Sequence, residues 1–342
     1  MTVSRALRGV GRTSAPLLVR IRAQAEDMGY RGNLLARSLR NAGRSRHSIA
    51  GLNLGLVVLG GQPRENDKSS MAIKTHAQAM GHRLDTFYTA EWRSVTALQR
   101  VWHARGIAGI FINTHGYEPG LVADGLLLLG DWSRYAVIKL GNGLPQLALN
   151  RVRSSVFTQM MTTFENVVAH GYRRILFIFH SSTSPTDDQM RLGAILVAQT
   201  QAAVRGVCVE YWNLGAEGRD WGTLDSGANR KECFTRLGSF SPDAVIGFGH
   251  VVFLWLVHLG FAPPHSFAYA SPVVMRDQAG WIAGTLDDVA SGEFDVGLSM
   301  LVDLLARGQR GAPSLVQEHT VPVQWISGRT LPARPGQVLA PT

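Results

Sequence analysis

Apolar and polar positions change rhythm near residue 50. Before it, Leu7, Leu17, Leu18, Ile21, Ala25 and Met28 are spaced like a packed helical unit, the last four at three- and four-residue intervals. Thr2 to Leu7 reads as a helix, and Gly9, Gly11 and Arg12 as a turn. Ser14 is placed to cap a second helix, with Pro16 in its first turn and Gly29 beyond its end near Met28. Asn33 to Arg40 is a further short helical pattern, and 41–48 is polar, like a linker. From Leu52 short apolar runs alternate with helical stretches. LNLGLVVLGG, HRLDTFYT, IAGIFINT, YAVIKLGN, RRILFIFHS, VCVEYWNL, DAVIGFGH, SFAYASP and HTVPVQWISG read as strands. Residues 70–80, 95–104, 160–170, 191–204, 251–259 and 296–307 read as helices. Such alternation predicts βαβ units and parallel sheets. So many strands favour two lobes over one sheet. In open α/β sheets a ligand sits beyond the carboxyl ends of the strands, which for two facing lobes is the cleft between them.

Composition narrows this picture. The 342 residues are 45% apolar and 17% charged, which suits a globular chain of one large or two medium domains. The longest apolar runs, 126–129 and 251–259, fall short of a membrane span, and no secretory signal is read, so a cytoplasmic protein without a membrane partner is expected. Cys208 and Cys233 are the only cysteines, too few for a disulfide framework or a zinc cluster, and no metal or cofactor is expected. Charge is uneven. Residues 1–47 carry ten arginines against Glu26 and Asp27, or +8, of a total of +9. One short segment therefore has the footprint of a phosphate-binding module attached to a neutral body.

Three stretches carry a family resemblance. TVSRALRG with TSAPLLVRIRAQAEDMGY is similar to the DNA-binding head of the lactose-repressor (LacI/GalR) family of transcription regulators. RGNLLARSLR resembles its hinge helix, commonly R-P-N-x-x-A-R-S-L. HGYRRILFI at 170–178 resembles a strand of its second lobe, and GIAGIFI and PDAVIGFGH fall where the family has comparable strands. The resemblance runs nearly end to end, tightest over 2–40. It implies an α/β, two-lobed, periplasmic-binding-protein-like sensor preceded by a small all-α helix-turn-helix head. Family members begin about one helix earlier, so the head is expected to lack its first helix here, through an internal start or a true truncation. The expected division is a partial head at 1–32, hinge and linker at 33–50, and the sensor at 51–342. Lobe 1 is expected at about 51–147 and 276–311, and lobe 2 at about 148–275 and 312–330.

The resemblance assigns roles residue by residue. Thr2, Ser4 and Arg5 match positions that contact DNA at the start of a recognition helix, where Arg5 can pair with guanine. Arg8, Arg20, Arg22, Arg31 and Arg37 are phosphate-contact candidates, though each alone is as readily an ordinary solvated arginine. In the hinge, Asn33, Ala36 and Leu39 match minor-groove positions, with Leu39 as the apolar wedge. The implied partners are a pseudo-palindromic double-stranded operator, a second copy of the chain, and a small-molecule effector of sugar-like class that acts allosterically.

The sensor departs from the family pattern. In DDQMRLGA, Met190 stands where an arginine is usual, with Arg191 beside it. The usual N-D is Gly249-His250, and the usual G-F-D is Tyr269-Ala270-Ser271. These changes argue against a standard hexose as effector, or against any effector. Cleft candidates by position are Gln62, Thr114, His115, Asn142, Arg191, His250 and Ser271, each as readily a structural residue. Trp212, Trp221 and Trp255 are suited to stack on a ligand, but core packing is the commoner role. The glycines of GLVVLGGQ lack nucleotide-loop spacing, and no catalytic motif stands out, so no enzyme is expected. A secreted sugar-binding protein shares the fold but not the arginine head. The competing reading is a sensor or dimerisation protein that has lost DNA binding.

Overall fold

The computed structural model describes residues 52–59, 68–92, 94–115, 130–181, 185–215, 221–287 and 292–335, together with Leu17, Val19, Arg20 and Gln24. The chain divides into two compact units, Met1–Gly51 and Leu52–Thr342. In the first, Leu17, Val19, Arg20 and Gln24 are helical and exposed. All four fall within the helix expected from Ser14 to Met28, although the spacing assigns Leu17 to a packed face.

The second unit holds two six-stranded sheets. Strands β1 (Asn53–Val58), β2 (Arg83–Tyr88), β3 (Gly109–Asn113), β4 (Ala136–Leu140), β5 (Arg151–Ser154) and β11 (Glu318–Val321) form the first, in the order β11-β5-β4-β3-β1-β2. Strands β6 (Arg174–Phe179), β7 (Cys208–Asn213), β8 (Ala244–Gly247), β9 (Ala268–Val274), β10 (Ala283–Leu286) and β12 (Trp325–Ile326) form the second, in the order β12-β10-β9-β8-β6-β7. Every pairing is parallel except β10 with β12. Central strands are mostly apolar because helices cover both faces of a parallel sheet. All five residues of β3 and of β4 are accordingly buried.

Helices α1 (Lys68–Ala79), α2 (Val95–Ala104) and α7 (Phe294–Arg307) cover the first sheet; α3 (Val156–Ala169), α4 (Pro185–Val204), α5 (Gly227–Phe240) and α6 (Gly249–His258) cover the second. Their starts are fixed by local chemistry. The hydroxyls of Ser94, Ser155 and Ser226 accept from the backbone amides of Ala97, Thr158 and Asn229 at 3.2 Å, which satisfies a donor that each helix start leaves open. On α7, Phe294, Leu298 and Leu301 face the sheet. A Cβ on Gly109 would stand 2.6 Å from Leu301, so helix and strand approach this closely only because that position has no side chain.

The chain crosses between sheets three times: after β5, after β10, and between β11 and β12. The expected lobe boundaries differ from these sheets in three places. β5 joins the first sheet although 148 onward was assigned to lobe 2. β10 joins the second although 276–311 was assigned to lobe 1. HTVPVQWISG, expected as one strand of lobe 2, is divided between both sheets. Pro322 explains the last, since it has no amide to continue a ladder. Trp212 and Trp255 fill the core of the second lobe with ring centroids 6.0 Å apart, and the Trp255 indole donates to Asp225 at 3.1 Å. Among the described residues no helix is long and apolar enough to cross a membrane.

Candidate effector cleft

Side chains beyond the carboxyl ends of the first sheet meet those of the second. From β3, Thr114 and His115 follow directly. Thr114 is buried; its hydroxyl donates to the Leu140 carbonyl at 2.7 Å and accepts from the Gly143 amide at 3.0 Å. It therefore ties the ends of β3 and β4 together. His115 is 32% exposed, and its Nε2 lies 2.7 Å from Glu293 Oε2. Glu293, fully buried at the start of α7, also accepts from the Ser154 amide at 2.7 Å and hydroxyl at 3.0 Å. Burial pushes the His115 imidazole down, but the Glu293 charge and hydrogen bond, with Asp287 and Asp187 behind them, raise its pKa to about 9. The imidazole is then protonated at neutral pH and donates to Glu293.

Asn142 follows β4. The loop carrying it is held from below by Lys139, a buried lysine whose Nζ donates to the carbonyls of Leu144 at 2.8 Å and Leu147 at 2.7 Å. Burial lowers the Lys139 pKa to about 8. The bond to Leu144 also fixes a backbone at φ 51°, the left-handed region that a leucine seldom adopts. Asn142 Oδ1 is buried without a hydrogen-bond partner among the described residues. In the other lobe Asp187 lies in the first turn of α4, and burial raises its pKa against the opposing influence of Arg191, His115 and Asn142. A contact between lobes runs from Arg153 on β5 to Met190 Sδ at 3.5 Å.

Arg191, one turn beyond Asp187, is 4% exposed. Its guanidinium donates to the His180 carbonyl at 2.9 Å and stacks on Phe248 at 3.6 Å from the ring centroid. Of the candidates read from sequence, His115 pairs with Glu293, Arg191 is held by the His180 carbonyl and Phe248, and Thr114 ties together the strand ends that carry His115 and Asn142. Two others lie elsewhere. Ser271 is 1% exposed, and its hydroxyl serves the backbone of Gly249 and Val273. His250, in the first turn of α6, is exposed and lines a separate surface groove. Neither joins these groups, because β9 uses Ser271 and the buried Tyr269 hydroxyl to fix the start of α6. Gln62 lies outside the described residues, as do Thr2, Ser4, Arg5, Arg8, Arg22, Arg31, Asn33, Ala36, Arg37 and Leu39. The sequence reading missed Glu293 and Asp187. Each sits in a helix's opening turn, where an acid is ordinary, and nothing local marks it as more.

No family model and no curated protein matches the chain. Solved structures do. The lac repressor dimer bound to operator and the anti-inducer ONPF aligns over 97% of this chain and 95% of its own, with 15% identity and a TM-score of 0.53. The Escherichia coli transcriptional repressor AscG aligns over 82% of this chain and all of its own, with 16% identity and a TM-score of 0.56. A periplasmic binding protein/LacI transcriptional regulator from Alkaliphilus metalliredigens, complexed with D-xylulofuranose, covers 82% of this chain and 98% of its own, with 13% identity and a TM-score of 0.53.

Proposed function

The chain has the two-lobed fold of LacI-type regulators and periplasmic binding proteins, and from that premise we propose that it is a sequence-specific DNA-binding transcription regulator, a repressor. In this reading it is a cytoplasmic homodimer whose operator affinity is set by a small molecule between its lobes, and it has no enzymatic role. The observation that carries the reading is the pairing of this sensor fold with a separate N-terminal unit of residues 1–51 that holds most of the net charge of +9. The arginines supply phosphate affinity, and Thr2, Ser4 and Arg5 supply base readout. The hinge at 33–40 carries changes in lobe geometry to the head. The operator and sugar seen with the structural neighbours support both partners. Footprinting on DNA upstream of the chain's own gene tests it. Two protected half-sites related by two-fold symmetry are expected. Unprotected DNA, at concentrations where the protein is dimeric and folded, would favour the DNA-binding-deficient sensor instead.

The homodimer rests on α6. Val252, Phe253, Trp255 and Leu256 are buried, yet Leu254 is 48% and Val257 45% exposed, beside Trp281 at 54%. A helix apolar all round belongs in an interior. Its open face, with Phe261 and Ile282, lines a groove of about 580 Å³. We expect Leu254→Arg with Trp281→Glu to halve the molar mass measured by sedimentation at micromolar concentration while the circular dichroism stays native. An unchanged mass would move the interface elsewhere.

A further inference from the structure

Arg153 belongs to β5 in the first sheet, and Met190 to the second turn of α4 in the second lobe. Arg153 Nε donates to Glu318 on β11, so its charge is already paired and its position fixed. Its Nη1 reaches the other lobe and donates to Met190 Sδ at 3.5 Å. A thioether is a weak acceptor, so this contact touches both lobes without binding them strongly. The arginine that the family resemblance places at 190 could only donate and would repel Arg153; the thioether can accept. The Met190 side chain packs against the core of the second lobe but stays half-buried, whereas Met160 in that core is 2% exposed. A small solute therefore has an access to Met190 that it lacks to Met160.

We propose that Met190 is a site of oxidation to the sulfoxide, and that the sulfoxide locks the two lobes together through Arg153. The oxidant is a peroxide. The thioether sulphur attacks one peroxide oxygen, and the S–O bond forms as the O–O bond breaks. The proton on the transferred oxygen leaves with the departing hydroxide as water. Sulphur gives up two electrons, and the peroxide takes them. The product replaces a weak acceptor by a polar oxygen where an arginine is already held. Arg153 then donates a charge-assisted hydrogen bond, which is shorter and stronger than its present one. The lobe arrangement of this structure gains a bond that an arrangement with the lobes apart lacks, so oxidation shifts the equilibrium toward it. The exposed Met71 and Met80, on and just past α1, oxidise without this consequence, since α1 packs within the first lobe.

The test treats the full chain with hydrogen peroxide at neutral pH, reads Met190 oxidation by peptide mass, and follows amide hydrogen exchange at 151–155 and 185–191. In the oxidised chain both segments are expected to exchange about tenfold more slowly, the scale of one added charge-assisted hydrogen bond resisting a local opening. Met190→Leu keeps an apolar side chain without the sulphur and should show no change on the same treatment. Slowing of equal size in the leucine variant assigns the effect to another methionine and overturns the proposal. So does a Met190 left unoxidised where Met71 is fully converted, or a Met190 sulfoxide that leaves exchange equal or faster. Where peroxide unfolds the chain, Met190→Gln decides without it. Its amide oxygen should slow both segments to a like extent, and exchange at the wild-type rate or faster overturns the lock.

Discussion

Replacing Glu293 by alanine is expected to destabilise the sensor by roughly 3–5 kcal/mol, the usual result of removing one partner from a buried, hydrogen-bonded charge pair. Three donors lose their acceptor at once: His115 Nε2, the Ser154 amide and the Ser154 hydroxyl. These join the end of β3, the end of β5 and the start of α7, so the loss is felt where the chain leaves one lobe for the other. At about 2–4 °C per kcal/mol for a domain of this class, the melting temperature should fall by roughly 6–20 °C. Glu293→Gln keeps an acceptor for the Ser154 amide and should lose less. The pH profile gives a second reading of the same contact. His115 has its pKa raised in the folded state from 6.5 to about 9. Its contribution is therefore full below pH 6.5 and lost as pH rises through 9. Glu293→Ala removes the main source of the rise, so stability should depend less on pH over that window than in the wild type. A variant with unchanged melting temperature and an unchanged pH slope would contradict the geometry described.

How much of this was legible in the sequence differs by element, for physical reasons. Strands β1, β3, β4 and β6 are continuous apolar runs because both of their faces are covered, and they stand out at once. β5 does not. Its sequence RVRS alternates two arginines with the buried Val152, and those arginines find Glu318 on β11, far along the chain. β10 is short and small, AGTL, because Gly284 lies against the Ser271 carbonyl, where a Cβ would stand at 1.9 Å. Helix α5 buries only Cys233, Leu237 and Phe240, so its polar sequence gives little period to find. Both missed strands sit next to a crossover between lobes, which is why the expected lobe boundaries were displaced.

The candidate site divides in the same way. The sequence reading picks out His115, Asn142 and Arg191 by position alone, just beyond strand ends or in a helix's opening turns. Their partners do not follow from position. Glu293 lies 178 residues from His115 in the chain, and only the return of α7 to the first sheet brings them together. Asp187 looks like a helix-start acid, and its burial, which raises its pKa, is not legible from its position in the sequence. His250 and Ser271 are picked out by position, and the structure uses that corner for packing. Tyr269 is fully buried behind Gly247, and its hydroxyl donates to the Gly249 carbonyl at 3.2 Å. The corner is thereby packed and braced.

The measurement that tests the regulator reading most directly is a titration of the full chain against its own upstream DNA across salt concentration. The ten arginines of residues 1–47 are the only large excess of charge in the chain. If they meet phosphates, binding releases counterions, and log K falls linearly with log salt at a slope of about −0.9 per phosphate neutralised. A dimer engaging roughly 6–10 phosphates should lose about 10³–10⁵ in affinity between 50 and 200 mM salt. Arg5→Ala should relax preference for the specific site by about 1–3 kcal/mol, whereas Arg22→Ala should weaken all sequences alike and reduce the slope by about one. A steep slope with a preference for the upstream site is the predicted result. An affinity that is absent, or that does not change with salt, would contradict the regulator reading and leave a two-lobed sensor that does not act on DNA.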